Sequence, residues 1–221
     1  EYYKKKYGNI YRMDRLLKAE GKSPDEYKVA KQADTLMLFY NFEKQEVDRI
    51  MGGMKYDLPS DYIERNLQYY LGRTSHGSTL SRVVHALLAN QIGDRQLSWT
   101  LYWDALTSDY KDIQGGTTAE GIHAGVMAGT VWIALSSFGG LNLKGEHVRI
   151  DPHMPAHWRT IAFSFTFRGI DYQCEVTRHT IKIKAKLTGD TDVQVSLKDK
   201  DFVLMDSQWT EYIYEELNIK Y

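Results

Sequence analysis

Along the first 142 residues the apolar positions recur at steps of three and four; beyond them they recur at steps of two. Leu80, Val83, Val84, Leu87, Leu88 and Ile92 make the clearest helical stripe, and its spacing predicts an amphipathic helix with one buried and one wetted face. Helix-start signals accompany it. SPDE at 23–26 offers a Ser cap, a Pro in the first turn and a Glu three residues after the Ser, and TTAE at 117–120 repeats the cap and the Glu. Roughly six helices are expected in this part. One segment, Gly121 to Leu141, has His123 as its only ionisable side chain and is long enough to span a bilayer. Its Gly, Ser and Ala content weakens its hydropathy and no basic anchors flank it, so it is expected to be buried within protein.

After GGLNLKGEH the period changes. Ile161, Phe163, Phe165 and Phe167 alternate with Ala162, Ser164 and Thr166; Tyr172, Cys174 and Val176 follow, then Ile181, Ile183, Ala185 and Leu187, then Val193, Val195 and Leu197. RG at 168 and TGD at 188 stand where hairpin turns belong. The expected fold is therefore mixed, helices first and then a small antiparallel sheet that forms one layer of a sandwich. The last stretch, SQWTEYIYEELNIKY, is aromatic and charged and is left open between folding back and trailing.

Composition narrows the partners. The 221 residues are 43% hydrophobic and 13% aromatic, enough for a sizeable core. Twenty-eight basic against twenty-nine acidic residues leave a net charge of −1, which gives no electrostatic case for nucleic acid or an anionic membrane. Lys182, Lys184 and Lys186 alternate with apolar residues, the spacing of a solvated strand face. A single cysteine, Cys174, rules out an internal disulfide framework and fits a reducing compartment. The opening EYYKKKYGNI has neither an initiating Met nor a cleavable apolar run, so a secretory leader is not expected and the chain is expected to begin inside a longer protein.

Three clusters could carry chemistry. AKQAD at 30–34 puts Lys31 and Gln32 inside what reads as an apolar helix; a lysine beside a long amide can grip sugar hydroxyls, and the plainer alternative is a snorkelling surface lysine. RTSHGSTLS at 73–81 gathers one Arg, one His and five hydroxyls where a helix begins, a composition suited to an anion at the positive end of the helix dipole or, more plainly, to an N-cap. DIQGGTTAEGIH at 112–123 pairs close-approach glycines with hydroxyls at another helix start. HMPAH at 153–157 has metal-ligand spacing, but Pro155 argues against the helix that would align the two His. No nucleophile elbow is present, and Cys174 falls on an apolar strand face.

KQAD, TSHGSTLS, GGTTAEGIH, MAGT and FGG, in this order, resemble the C-terminal half of glycoside hydrolase family 65, the family of maltose, trehalose, kojibiose and nigerose phosphorylases; the resemblance runs from about residue 25 to about 185. It implies the second half of an (α/α)₆ barrel at 1–142 and a C-terminal β-sheet domain at 143–221. It also implies inverting phosphorolysis of an α-glucosyl disaccharide, with inorganic phosphate as co-substrate and no metal or organic cofactor. By the resemblance Lys31 and Gln32 contact the glucosyl unit. His76, Ser78 and Thr79, with Gly115, Gly116 and Thr117, surround the phosphate.

Phosphate is already a charged nucleophile, so such a site needs groups that hold it in line rather than a second carboxylate base. The family's general acid is expected about a hundred residues before KQAD, so no catalytic acid is expected in this chain, which is expected to be inactive alone. Two departures are visible. The family pattern has adjacent serines where Ser78 and Thr79 stand, and an asparagine-bearing turn where Gly115 and Gly116 stand. A hydrolase of the same family, with Asp109, Asp112 or Glu120 as the acids nearest the two loops, is one alternative; a non-catalytic carbohydrate-binding module is the other. A cytoplasmic location is expected from the need for cellular phosphate. Whether the parent protein is a homodimer stays open.

Overall fold

The computed structural model describes residues 1–111, 121–187 and 192–215. The chain divides into two compact units, Glu1–Val131 and Trp132–Tyr221. Helices make up the first, and strands that pair mostly antiparallel follow in the second.

In the first unit, α1 (Tyr2–Tyr7) and α2 (Met13–Ala19) precede a single 3₁₀ turn at Pro24–Glu26, where Ser23 Oγ accepts the Asp25 N–H at 3.3 Å. The Ser-Pro start signal is real, but the chain is extended again at Tyr27. There follow α3 (Met37–Asn41), α4 (Lys44–Gly53), α5 (Tyr62–Leu71), α6 (Leu80–Gln91), α7 (Arg95–Leu106), α8 (Ser108–Lys111) and α9 (Ala124–Ile133), the last running on into a π-helical turn at Ala134–Phe138.

The centre of this unit is α6. Helices α3, α5 and α7 pack on it, and every residue from Ser81 to Asn90 is buried. The wetted face expected from its stripe is absent. Ser98 Oγ of α7 donates to the Ala86 carbonyl of α6 at 2.8 Å, and the Asp94 cap of α7 accepts the Leu97 N–H at 2.9 Å. Helix α9 meets α6 at Gly129, where a Cβ would stand 2.8 Å from Val83 Cγ1. Glycine permits that approach; any larger residue must push Val83 aside.

Away from Gly129, however, Val131 is 61% exposed, Ile122 just before the helix 81%, and Gly125 and Ala128 are exposed as well. The expectation that this segment is enclosed on all sides fails on that flank. No helix among the described residues is long and apolar enough to cross a membrane.

The second unit has two four-stranded sheets. Strands β1 (Leu141–Asn142), β2 (Val148–Ile150), β6 (Val193–Leu197) and β7 (Lys200–Leu204) form one in that order; β3 (Thr160–Phe167), β4 (Ile170–Thr177), β5 (Thr180–Lys186) and β8 (Thr210–Ile213) form the other. The second is antiparallel throughout, whereas β2 and β6 pair parallel in the first, so the single antiparallel sheet of the sequence reading becomes a mixed sheet and an antiparallel one. Val148, Ile150, Val195 and Leu197 share one core cluster with Tyr172, Cys174, Val176, Ile181 and Ile183, as facing layers of a sandwich do.

Arg168 (φ 51°) and Gly169 (φ 79°) make the β3–β4 turn, both left-handed as a tight hairpin turn of the mirror-image type requires. The other expected turn, TGD at 188, falls outside the described residues. Cys174 is buried in the core, and burial pushes its thiol up to about 12, so it acts as packing. The described part of the last stretch, 207–215, folds back: β8 adds to β5, and the Tyr214 hydroxyl donates to the Thr177 carbonyl at 2.7 Å.

Candidate functional site

Lys31 and Gln32 do not lie in a helix. The Ala30 N–H donates to the Arg73 carbonyl at 3.0 Å, Ser75 N–H to the Ala30 carbonyl at 2.8 Å, and Gly77 N–H to the Lys31 carbonyl at 3.0 Å. Ala30 and Thr74 thereby form a parallel bridge. AKQAD consists mostly of good helix formers, but its backbone groups are taken up by the 73–77 loop, and that tertiary pairing overrides local propensity. A Cβ at Gly77 would stand 2.8 Å from Lys31 Cγ, so the lysine stem lies directly across this glycine. Two of the three clusters singled out from the sequence are thus one structural unit.

His76 sits at the bend, in a left-handed conformation (φ 45°) and 3% exposed. Burial, and then the nearby His85 and Arg82, push its pKa down to about 3, so the ring is neutral near pH 7. Ser81 Oγ donates to the Ser78 carbonyl at 2.8 Å and so accepts from His76 Nδ1 at 2.7 Å. That fixes the proton on Nδ1 and makes Nε2 an acceptor. His76 therefore supplies no positive charge; its Nε2 is suited to a sugar hydroxyl or to the protonated oxygen of a phosphate.

Ser78 is half-buried and Thr79 buried, and no side chain caps the first turn of α6. The ordinary N-cap is not what this loop forms. The N–H groups of Ser81 and Arg82 donate instead to the carbonyls of Ser78 (3.2 Å) and Thr79 (3.1 Å), so backbone bonds close the first turn.

Two residues of α6 that the sequence reading passed over stand beside His76. Arg82 is 1% exposed, its Nε 3.8 Å from Asp104 Oδ2 and its guanidinium carbon 5.2 Å from the centre of the Tyr11 ring. Its Nε and Nη1 have no hydrogen-bond partner among the described residues. His85 donates from Nδ1 to the Ser81 carbonyl at 2.7 Å, its ring centre 5.2 Å from that of His76; burial holds its pKa below the usual imidazole range. With Gln32, Asp34 and Ser81 it lines a cavity of about 40 Å³. The available signal was one Arg and one His, three apart, inside the otherwise apolar LSRVVHALLAN. They read as a wet face because polarity alone does not distinguish solvent from a site.

Gly115, Gly116 and Thr117 lie outside the described residues, as do Asp112 and Glu120. Described residues on either side of 112–120 are tied together. Asp109 accepts the His123 N–H at 2.8 Å through Oδ2 and faces His123 Nδ1 at 2.7 Å through Oδ1. Burial works against its ionised form, and the bonds from His123 outweigh that, holding its carboxyl below the usual range. A carboxylate with both oxygens engaged and a lowered pKa is a poor base.

A neutral imidazole, hydroxyls and a buried guanidinium stand beside the Lys31 stem, groups whose chemistry suits hydroxyls and an anion. The chain belongs to glycosyl hydrolase family 65: residues 1–132 match the family's central catalytic domain and residues 141–204 its C-terminal domain. The chain is 44% identical over 199 residues to a trehalose 6-phosphate phosphorylase of Lactococcus lactis, covering 89% of this chain and 26% of the relative. It is 29% identical over 182 residues to a kojibiose phosphorylase of Caldanaerobacter subterraneus, covering 82% and 23%. The chain thus spans about a quarter of the length of these relatives. A solved structure carrying the name of a kojibiose phosphorylase, from the human microbiome, superposes with a TM-score of 0.67 at 23% identity over 87% of this chain and 26% of that one, a likeness of fold.

Proposed function

We propose that this chain is part of an inverting phosphorylase of α-glucosyl disaccharides, releasing β-glucose 1-phosphate and the second sugar. In this reading an oxygen of inorganic phosphate forms the new bond to the anomeric carbon as the glycosidic C–O bond breaks. A general acid supplied from before Glu1 protonates the leaving oxygen, and this chain alone is inactive. No metal or organic cofactor takes part. The first 142 residues contribute the second half of an (α/α)₆ barrel, and 143–221 the C-terminal sheet domain. The relative of Lactococcus lactis makes trehalose 6-phosphate the first disaccharide to try.

The roles follow from the chemistry of the groups. Lys31 and Gln32 hold the glucosyl hydroxyls; Ser78 and Thr79, with Gly115, Gly116 and Thr117, receive the phosphate. His76, neutral, accepts a hydrogen bond through Nε2 from the phosphate's remaining O–H and so orients another oxygen towards carbon, while Arg82 adds the positive charge that His76 lacks. The observation that carries this reading is the pairing of Ala30 with Thr74, which sets the Lys31 stem across Gly77 beside His76. The engagement of Asp109 by His123 favours phosphate over an activated water.

The test is made on the full-length protein. Trehalose 6-phosphate, trehalose, maltose, kojibiose and nigerose are each supplied with and without inorganic phosphate, and the anomeric products are followed by NMR. The expected result is β-glucose 1-phosphate that appears only with phosphate. Release of β-glucose without phosphate identifies a hydrolase and overturns the proposal.

A further inference from the structure

HMPAH, set aside as a metal motif, has a different setting in the fold. Residues 153–157 are irregular, as Pro155 requires, and the chain then enters β3. Trp158 packs edge-on to Phe138, ring centres 5.5 Å apart, and its exposed neighbours His157 and Arg159 flank this anchor. Across the sheet, Thr160 pairs with Thr177, so Arg159, just before β3, and Arg178, in the turn after β4, follow directly on this last pair. With His157, Thr177 and His179 they line a groove of about 520 Å³ that has no carboxylate on its wall.

Two features make this more than a solvated edge. Neither arginine has an ion pair or hydrogen bond through its side chain among the described residues, so two permanent positive charges stand side by side with no counter-ion, an arrangement that costs stability unless an anion lies between them. The turn that carries Arg178 is also fixed before any ligand arrives. Thr177 Oγ1 accepts the N–H groups of His179 (3.2 Å) and Thr180 (3.0 Å), Tyr214 O–H donates to the Thr177 carbonyl, and Tyr214 N–H donates to the His179 carbonyl at 2.9 Å. A preformed turn loses little entropy on binding.

The geometry points to a second anion site, in the β-sheet unit, for a sugar phosphate. The two guanidinium groups take the phosphate dianion, since planar donors match its oxygens. The volume exceeds what a phosphate ion fills, and the imidazoles of His157 and His179 line the rest of the wall and can meet sugar hydroxyls. The groove shares no residue with the set proposed to receive phosphate at α6 and does not depend on the reaction proposed for it.

The experiment titrates glucose 6-phosphate, inorganic phosphate and glucose into the chain, following the Nε–H signals of Arg159 and Arg178 and the backbone N–H signals of 177–180 by NMR, with calorimetry alongside. Glucose 6-phosphate should shift these signals saturably and bind about tenfold or more tighter than phosphate or glucose. Arg159→Gln with Arg178→Gln, both on exposed or half-exposed side chains, should abolish the shifts at 177–180 and leave the melting temperature equal or higher, because the like charges are gone. Absence of saturable shifts, survival of those at 177–180 in the double variant, or phosphate binding as tightly as the sugar phosphate each overturns the assignment.

Discussion

Helices α6 and α9 exchange the environments their sequences suggest. Helix α6 carries Arg82, His85 and Asn90 and reads as half-wetted, yet it is enclosed along Ser81–Asn90. Helix α9 has no charged residue and reads as enclosed, yet it leaves Val131 largely bare. Burying a guanidinium with unpartnered N–H groups costs stability, which is what makes Arg82 stand out among the residues of α6. Helix α9 shows the converse: an apolar side left bare among the described residues, on a helix whose other side fits Val83 only because Gly129 has no side chain.

The contrast has graded consequences. Leu88 of α6 is fully buried, and Leu88→Ala should cost about 2–5 kcal/mol of unfolding free energy, read by denaturant titration. Gly129→Val forces branched side chains together where the two helices cross and should cost about 1–3 kcal/mol by the same measurement.

Acid should attack the α6 side selectively. An unfolded imidazole titrates near 6.5, whereas His76 stays neutral in the fold down to about 3, and His85 shifts in the same direction. Between those values the unfolded chain binds protons that the folded one refuses. Stability should therefore fall as pH drops from about 6.5 towards 3, by about 1.4 kcal/mol per pH unit from His76, with His85 adding in the same direction, and His76→Gln should flatten the slope. Val131→Ala of α9 should be the smallest change, within about 0.5 kcal/mol in this chain; a large loss would mean that its exposed side is already in use.

What the sequence made legible follows from the range of the interactions. The in–out alternation of β3, β4 and β5 and the Arg168–Gly169 turn are set by neighbours in sequence, and both are as expected. The parallel pairing of β2 with β6 joins Val148 to Val195 and carries no local signature. The same holds at the candidate site. Its loop at 73–81 was visible from its hydroxyls and glycine. That Lys31 and Gln32 are not helical was not, because the bonds that hold Ala30 and Lys31 come from residues more than forty positions away. The neutrality of His76 was hidden too, since it follows from burial and from the nearby His85 and Arg82.

The central claim is that sugar-holding and phosphate-holding residues form one site where 30–32 cross 73–77. Gly77→Ala in the full-length protein tests it most directly, because the added methyl meets Lys31 Cγ at 2.8 Å and must displace the lysine and the loop together. Steady-state kinetics with both substrates varied should show KM rising for disaccharide and for phosphate alike. A variant that leaves both constants unchanged, or moves only one, would contradict the account.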